Sequence, residues 1–430
     1  MVMATQPTQP AQQADAPAPP DEMPDPHWQR TVYAVWFAHL LAAVGFSFVM
    51  PFLPFFVRDL GVESDRLAGV WAGAAMTAAG LSLTVFQPIW GALADRYGRK
   101  LMLQRAMFGG AITIFLMGLV QSPMQLVVLR LAQGALTGTG AACNTLVASV
   151  TPRARLGFTM GLMQTAIIVG NSIGPWLGGV VADSFGYRIP FFVCGVLWAV
   201  AGLVVVFGTR ETFLDPSLCV NGRQGLRQVF GGRGLAALLT SFFLSAFAVT
   251  FVGPIFPLFV ERIANTTRAA TITGQIMGAG GLAAGLSALV IGRVSDQLGH
   301  RRVLIVSSLG SAVFSVPHAL VQALWQLFGL RIGWGLISGG AGPAMNAMIG
   351  SNVSSDMYGR AFGLTTSAMC LGFALGPLTG GLMASATGLR WPFVVMGLLQ
   401  LATSVLIWRW VRPRDRSQAL GDAPTQQAAK

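Results

Sequence analysis

Charge is what this sequence has least of. Asp, Glu, Lys and Arg make up 10% of its 430 residues, against about 25% in a soluble domain. A soluble surface cannot be built from that supply. Carboxylates are scarcer still: the 16 Asp and Glu all fall in tails, in loops or at the edges of apolar runs. The four cysteines, Cys143, Cys194, Cys219 and Cys370, are too far apart to suggest a disulfide framework or a thiolate metal site. No G-x-x-x-x-G-K-[ST] loop occurs, which argues against direct ATP drive. There is no metal-spaced His/Cys cluster and no nucleophile elbow, so neither a cofactor nor catalysis is expected. The N-terminus has no basic stretch followed by a short apolar run, so no cleaved signal is expected either.

What the chain does have is apolar length. Its hydrophobic fraction is 53% and its mean hydropathy +0.61. The apolar residues come in runs of about 20 or more, enough to cross a bilayer as helix. The 53 glycines would weaken helices in water, but glycine is common where transmembrane helices pack. The expected solvent is therefore membrane lipid. The expected fold class is an all-α integral membrane protein of twelve transmembrane helices in two six-helix, pseudo-symmetric bundles. The spans fall at 31–57, 67–93, 101–120, 123–150, 156–182, 187–208, 234–260, 268–294, 301–319, 322–350, 358–386 and 389–410. The expected organisation is a disordered tail at 1–28, a first bundle at 29–208, a polar linker at 209–233, a second bundle at 234–412 and a second disordered tail at 413–430.

A net charge of +12 suggests nucleic acid only until the basic residues are placed. They sit in the loops between spans. With the N-terminus inside, six of the 28 Lys and Arg lie outside: Arg58, Arg66, Arg188, Arg262, Arg268 and Arg390. Arg130 and Arg331 fall within spans, and the other 20 lie inside. That asymmetry puts both termini in the cytoplasm and leaves nucleic acid without a role.

The two halves repeat. Asp95 and Asp296, and Arg130 and Arg331, are separated by 201 residues. Asn144 and Asn346, Pro175 and Pro377, and Pro190 and Pro392 are separated by 202. An even number of spans in each half gives both halves the same orientation. Parallel repeats of this kind rock about a site near the membrane midplane in secondary transporters.

Three stretches carry the function. WGALADRYGRK, residues 90–100, joins spans 2 and 3, and IGRVSDQLGHRR, residues 291–302, joins spans 8 and 9. Gly91 and Gly98 permit a tight turn and close helix approach. Asp95, and Asp296 in the second copy, are placed to cap a helix or pair with an arginine. LRLAQGALTG, residues 129–138, puts Arg130 inside a span, where it needs an interior partner. GNSIGPWLGG, residues 170–179, sets Gly170, Gly174, Pro175, Gly178 and Gly179 on span 5, and GFALGPLTGG repeats the pattern on span 11. Small residues four apart let helices approach closely, and a proline removes one backbone hydrogen bond. GAGGLAAG, residues 278–285, also fits a dinucleotide fingerprint, but no strand precedes it and helix packing accounts for it.

These stretches resemble the major facilitator superfamily over roughly residues 28–412. Asp95, Arg96 and Arg99, with Lys100, match its signature loop. Arg130, Gln133 and Gly134 resemble its span-4 motif. The span-5 stretch is similar to that of its twelve-span drug:proton antiporters, the group of bacterial multidrug resistance exporters. The resemblance implies a monomer in a bacterial inner membrane that exports a small amphiphilic substrate in exchange for protons by rocker-switch alternating access. It implies that Gly91 to Lys100 latch the cytoplasmic side, that Arg130 and Gln133 couple the site to the bundle, and that Pro175 shapes span 5.

The chain departs from many proton-coupled relatives in having no acidic residue within a span. His39, in span 1, becomes the leading proton carrier. His318 and Asp95 are the other candidates. An apolar, adaptable substrate cavity is expected from Phe46, Phe48, Met50, Phe52 and Phe55 on span 1 and Phe247, Phe251 and Phe256 on span 7. Asn144, Asn171 and Asn346 are its expected polar anchors, and Arg331 belongs with them. Two arginines and no carboxylate within the spans support an alternative, transport of an anionic amphiphile such as a lysophospholipid, bile salt or phosphonate without strict proton coupling. A sensor that moves no solute on the same scaffold is the third reading. The short loops and intact first-half motifs argue against it.

Overall fold

The computed structural model describes residues 28–152, 155–210, 233–352 and 358–411. The expected tails and most of the expected linker lie outside the described residues. Among those described there is no strand.

Among the described residues, sixteen α-helices fall into two sets of eight. The first set is α1 (Trp28–Phe48), α2 (Leu53–Asp59), α3 (Asp65–Tyr97), α4 (Arg99–Met117), α5 (Pro123–Leu136), α6 (Thr139–Val150), α7 (Leu156–Phe185) and α8 (Ile189–Gly208). The second is α9 (Arg233–Phe251), α10 (Phe256–Ala264), α11 (Ala269–Leu298), α12 (His300–Ser315), α13 (Leu324–Ser338), α14 (Ala341–Asn352), α15 (Tyr358–Thr387) and α16 (Trp391–Trp410). A 3₁₀ turn at Val316–Leu320 extends α12.

Among the described residues, eleven helical stretches are long and apolar enough to cross a membrane. The twelfth expected span, 322–350, is present as α13 and α14, separated by a turn at Gly339 and Gly340. The expected span 123–150 divides at the corresponding place into α5 and α6, where Gly138 adopts φ +113°. Spans 1 and 7 divide in the same paired way, between α1 and α2 and between α9 and α10, with Pro54 and Pro257 at the starts of the second pieces. Proline tolerates the first turn of a helix because its missing N–H would be unpaired there. The breaks therefore repeat along with the sequence.

Packing repeats too. The first helix of each set lies against the seventh and eighth, the fourth against the eighth, and the third against the fifth. The halves meet along two seams, α3 with α15 and α7 with α11. Each seam is the repeat image of the other.

Glycine makes the close approaches. A Cβ at Gly178 would collide with the Phe48 carbonyl, and one at Gly380 with that of Phe251. These contacts join the first and seventh helices of each half, and they assign the small-residue pattern of spans 5 and 11 to packing. Pro175 and Pro377 lie inside helices that continue through them. The Pro175 carbonyl faces Gly274 across the α7–α11 seam, and that of Pro377 faces Gly73 across the α3–α15 seam.

Both charged loops turn on one glycine each. Gly98 has φ +100° and Gly299 φ +90°. Only glycine takes this region without strain. Gly98→Ala is expected to cost about 1–2 kcal/mol, read as a lower unfolding temperature of the purified protein in detergent.

Candidate functional site

The seams are not uniform along their length. Call the end that carries residues 90–100 and 291–302 the motif end. Three described hydrogen bonds join the halves, and all lie toward the other end. Arg58 Nη2 donates to Glu261 Oε1 at 2.6 Å. The Thr271 N–H donates to Asp183 Oδ2 at 2.7 Å. The Leu378 N–H donates to Thr77 Oγ1 at 3.2 Å. Glycine contacts close the same region: Gly179 on Ala270, Gly278 on Ser172, and Gly381 on Gly69. Past the contact of Gly285 with Ile168 near the middle of the α7–α11 seam, no described glycine packs across either seam. A crevice of about 330 Å³ opens between α3 and α15, lined by Thr84, Gln87 and Pro88 on one side and Gly363, Thr366, Ser367 and Cys370 on the other. A Cβ at Gly91 or Gly292 would meet nothing within 4 Å.

Arg58 and Glu261 are separated by 203 residues, as are the neighbouring Pro54 and Pro257, so each sits at the other's repeat position. Side chains beside a pseudo-twofold axis meet their own counterparts. Arg58 Nη1 also holds Asp65 Oδ1 at 3.0 Å. Burial works against the Arg58 charge, but its bonds to Glu261 and Asp65 outweigh burial and raise its pKa above the usual arginine value. Arg58→Glu is expected to loosen this end, and Arg58→Glu/Glu261→Arg to restore it. The pair is partly exposed, so the restored coupling should amount to about 1 kcal/mol or less. A double-mutant cycle on unfolding temperature checks it.

At the motif end, Arg96 is exposed and lies 5.4 Å from the Tyr97 ring. Lys100 donates to the carbonyls of Val206 at 3.0 Å and Thr209 at 2.6 Å. Arg301, its repeat counterpart, donates to the carbonyl of Trp408, the counterpart of Val206. Each loop thus caps the end of the last helix of its half with a cation. Sequence reasoning assigned these cations only to the latch. The signal it passed over was the near-equal spacing, 106 and 107 residues, from each cation to the end of the last helix of its half. Arg99 also has an interaction partner. The side chains of Asp95 and Asp296 lie outside the described ones.

Arg130 is 3% exposed. Its Nη1 donates to Gln133 Oε1 at 3.2 Å, while Nε and Nη2 have no partner. Gly134, next along, brings α5 onto the backbone of α3 at Ala79. Arg331 is half-buried, and its guanidinium lies 4.8 Å from the ring of Phe256 and 4.8 Å from that of Trp334. Neither arginine has a carboxylate partner among the described residues. His39 is buried and its Nδ1 has no partner. His318 bonds the Phe314 carbonyl through Nδ1 at 2.7 Å and stacks on Phe393.

The expected cavity residues scatter. Phe48, Phe52, Phe55, Phe251 and Phe256 are buried in the hydrophobic cores of the two halves. Phe247 stacks on Phe243 and lies tilted against Phe251. Phe46 and Asn171 are exposed, Met50 and Asn144 half-buried, and the Asn346 side chain lies outside the described ones. Alternation of aromatic residues on span 1 could not separate core from cavity, because both demand apolar surface.

A pseudo-symmetric, all-helical membrane protein whose halves close at one end and part at the other is built as a transporter. The comparisons agree. The model of the Major Facilitator Superfamily matches residues 35–262 and 238–429, and the chain belongs to that family of membrane transporters. It is 33% identical over 398 residues to the multidrug resistance protein MdtG of Citrobacter koseri, covering 91% of this chain and 98% of the relative. It is likewise 33% identical to MdtG of Dickeya zeae over 400 residues, covering 92% and 98%. Among solved structures it resembles a bacterial homologue of the lysosomal transporter Spinster, in an inward-facing, occupied conformation, with TM-score 0.76, 15% identity and coverage of 89% and 97%. A D-xylose–proton symporter gives TM-score 0.73, 15% identity and coverage of 90% and 98%. At these identities the two structures speak for the fold alone.

Proposed function

We propose that the protein exports amphiphilic drugs or toxic compounds across a bacterial inner membrane in exchange for protons, by alternating access. The carrying observation is the asymmetry of the seams: bonded and glycine-packed at one end, parted at the motif end. The distribution of Lys and Arg supports placing the motif end and both termini in the cytoplasm, which makes this the inward-open state. The MdtG relatives support the drug class. Residues 29–208 and 234–412 would rock as two bodies, with residues 209–233 as their link. The sites at Arg58, Asp183 and Thr77 must release when the outer end opens, and the loop from Gly91 to Lys100 then latches the inner end. His39, an imidazole in an apolar bundle with one nitrogen unpartnered, is the proposed proton carrier. Arg130 and Gln133 couple it to substrate.

A second reading, transport of an anionic amphiphile, draws on Arg130 and Arg331, which have no carboxylate partner among the described residues. Liposomes with an imposed pH gradient decide between the two. Gradient-driven movement of a cationic dye, lost in His39→Ala, supports drug:proton exchange. Movement of an anionic amphiphile alone, indifferent to the gradient, removes it and makes the arginines substrate ligands.

A further inference from the structure

The second half contains a cavity of about 280 Å³. It lies among α9, α12, α13, α14, α15 and α16. Its polar lining includes Ser307, Ser308 and Ser311 on α12 and Gln400 on α16. These four are 3–5% exposed, and none of their side chains makes a hydrogen bond among the described residues. Trp334 faces the same cavity and its buried indole N–H also has no partner. Phe242, Met369 and Phe373 supply apolar surface. No charged residue lines it.

The repeat shows what differs between the halves. At an offset of 202, Gln400 corresponds to Trp198; at 201, Ser307, Ser308 and Ser311 correspond to Ala106, Met107 and Gly110. In the first half the Trp198 ring is 2% exposed and packs so closely on Gly110 that a Cβ there would collide with it. Ala106 and Met107 are fully buried. The indole is a plug seated on a glycine. In the second half the plug is an amide and its seat a serine. Buried polar groups are retained when something hydrogen-bonds them, and here neither backbone nor side chain does. Thr366 lines both this cavity and the α3–α15 crevice, so the two adjoin across α15.

We infer that this cavity binds the polar end of an uncharged amphiphile, one carrying hydroxyl or carbonyl oxygens on an aromatic or apolar body. Serine hydroxyls and the Gln400 amide offer both donors and acceptors, the Trp334 indole offers a donor, and a cation finds no counter-charge. The inference rests on the export reading for its biological sense, because this would be the substrate's polar subsite.

The test is equilibrium binding of chloramphenicol, an uncharged arene with two hydroxyls and an amide, to the full-length protein in detergent. Two variants accompany it. Ser307→Ala/Ser308→Ala/Ser311→Ala removes the hydroxyls with little change of shape. Ser311→Gly/Gln400→Trp copies the first half's plug. Saturable binding by the parent, weakened roughly tenfold or more in the triple variant at an unchanged unfolding temperature, is expected. It should resist excess tetraphenylphosphonium, and the plug variant should abolish it. Parent-like binding in the folded triple variant, competitive displacement by the cation, or no saturable binding by the parent, as for a cavity that holds water only, overturns the inference. Solute flux in liposomes separates the two claims. Binding lost in the variants of a protein that moves no solute keeps the cavity and removes the exporter, and dye export without chloramphenicol binding does the reverse.

Discussion

Gly274→Leu is expected to leave each half folded and to deny the protein the conformation described here. Gly274 lies on α11 where its backbone meets the Pro175 carbonyl of α7, so closely that even a Cβ would collide. A leucine side chain must part the two helices toward the usual interaxial distance of about 8–10 Å. Overpacking of this kind costs about 1–3 kcal/mol, which shifts a two-state equilibrium roughly 5- to 150-fold. On the proposed alternating-access cycle the penalty falls only on the state in which this end is closed, because the other state would separate α7 from α11 here. Spin labels at the exposed positions Phe185 and Thr267 should therefore report a longer distance, and turnover should stop while the protein still purifies as a folded monodisperse species. Gly178→Leu is the contrast. Its collision is with Phe48 inside one half, so it should reduce folded yield in every conformation. Gly91→Leu meets nothing here, and on a rocker-switch cycle it should obstruct closure of the motif end instead. A parent-like distance distribution in Gly274→Leu would remove the seam from the cycle.

How much of this was legible in the sequence depends on what each feature obeys. The apolar runs were legible because leaving backbone groups unpaired in lipid is costly, and that constraint acts on each run separately. The turns at Gly98 and Gly299 were legible because positive φ selects glycine. The breaks within spans 1, 4, 7 and 10 were not, since a run of apolar residues stays apolar when the helix inside it stops and restarts. The aromatic residues of span 1 illustrate a second limit. Phe52 and Phe55 read as cavity candidates and pack instead against Tyr187, a partner 132 to 135 residues away. The bond between Arg58 and Glu261 was readable in principle, as opposite charges at one repeat position, but only after a fold had placed that position beside the axis. The polar cavity behind Gln400 was readable in the same way, as the loss of a tryptophan between repeats. A difference between two halves carries information that neither half carries alone.

Arg130 makes the sharpest demand on the functional reading, because its structural and functional values have opposite signs. The guanidinium is 3% exposed, holds one hydrogen bond to Gln133, and leaves Nε and Nη2 without partners. An arginine within a span costs about 2.5–3.5 kcal/mol on insertion scales, and one neutral acceptor recovers only part of that. Replacing buried charge with apolar volume is often stabilising by about 1–4 kcal/mol. Arg130→Met is accordingly expected to raise the unfolding temperature, or at least not to lower it, and the companion Arg130→Met/Gln133→Leu, which leaves no orphaned amide, should raise it further. Transport should fall by about tenfold or more in both, the scale of a single lost interaction of about 1.4 kcal/mol. Arg130→Lys keeps the charge but replaces a planar fork with a point charge, and it should fall between the two. A residue kept only to hold the bundle together would show the reverse pattern, with stability and transport declining together. If Arg130→Met is more stable and still transports at the parent's rate, the span-4 motif has no part in coupling, and the proton path must run through His39 without it.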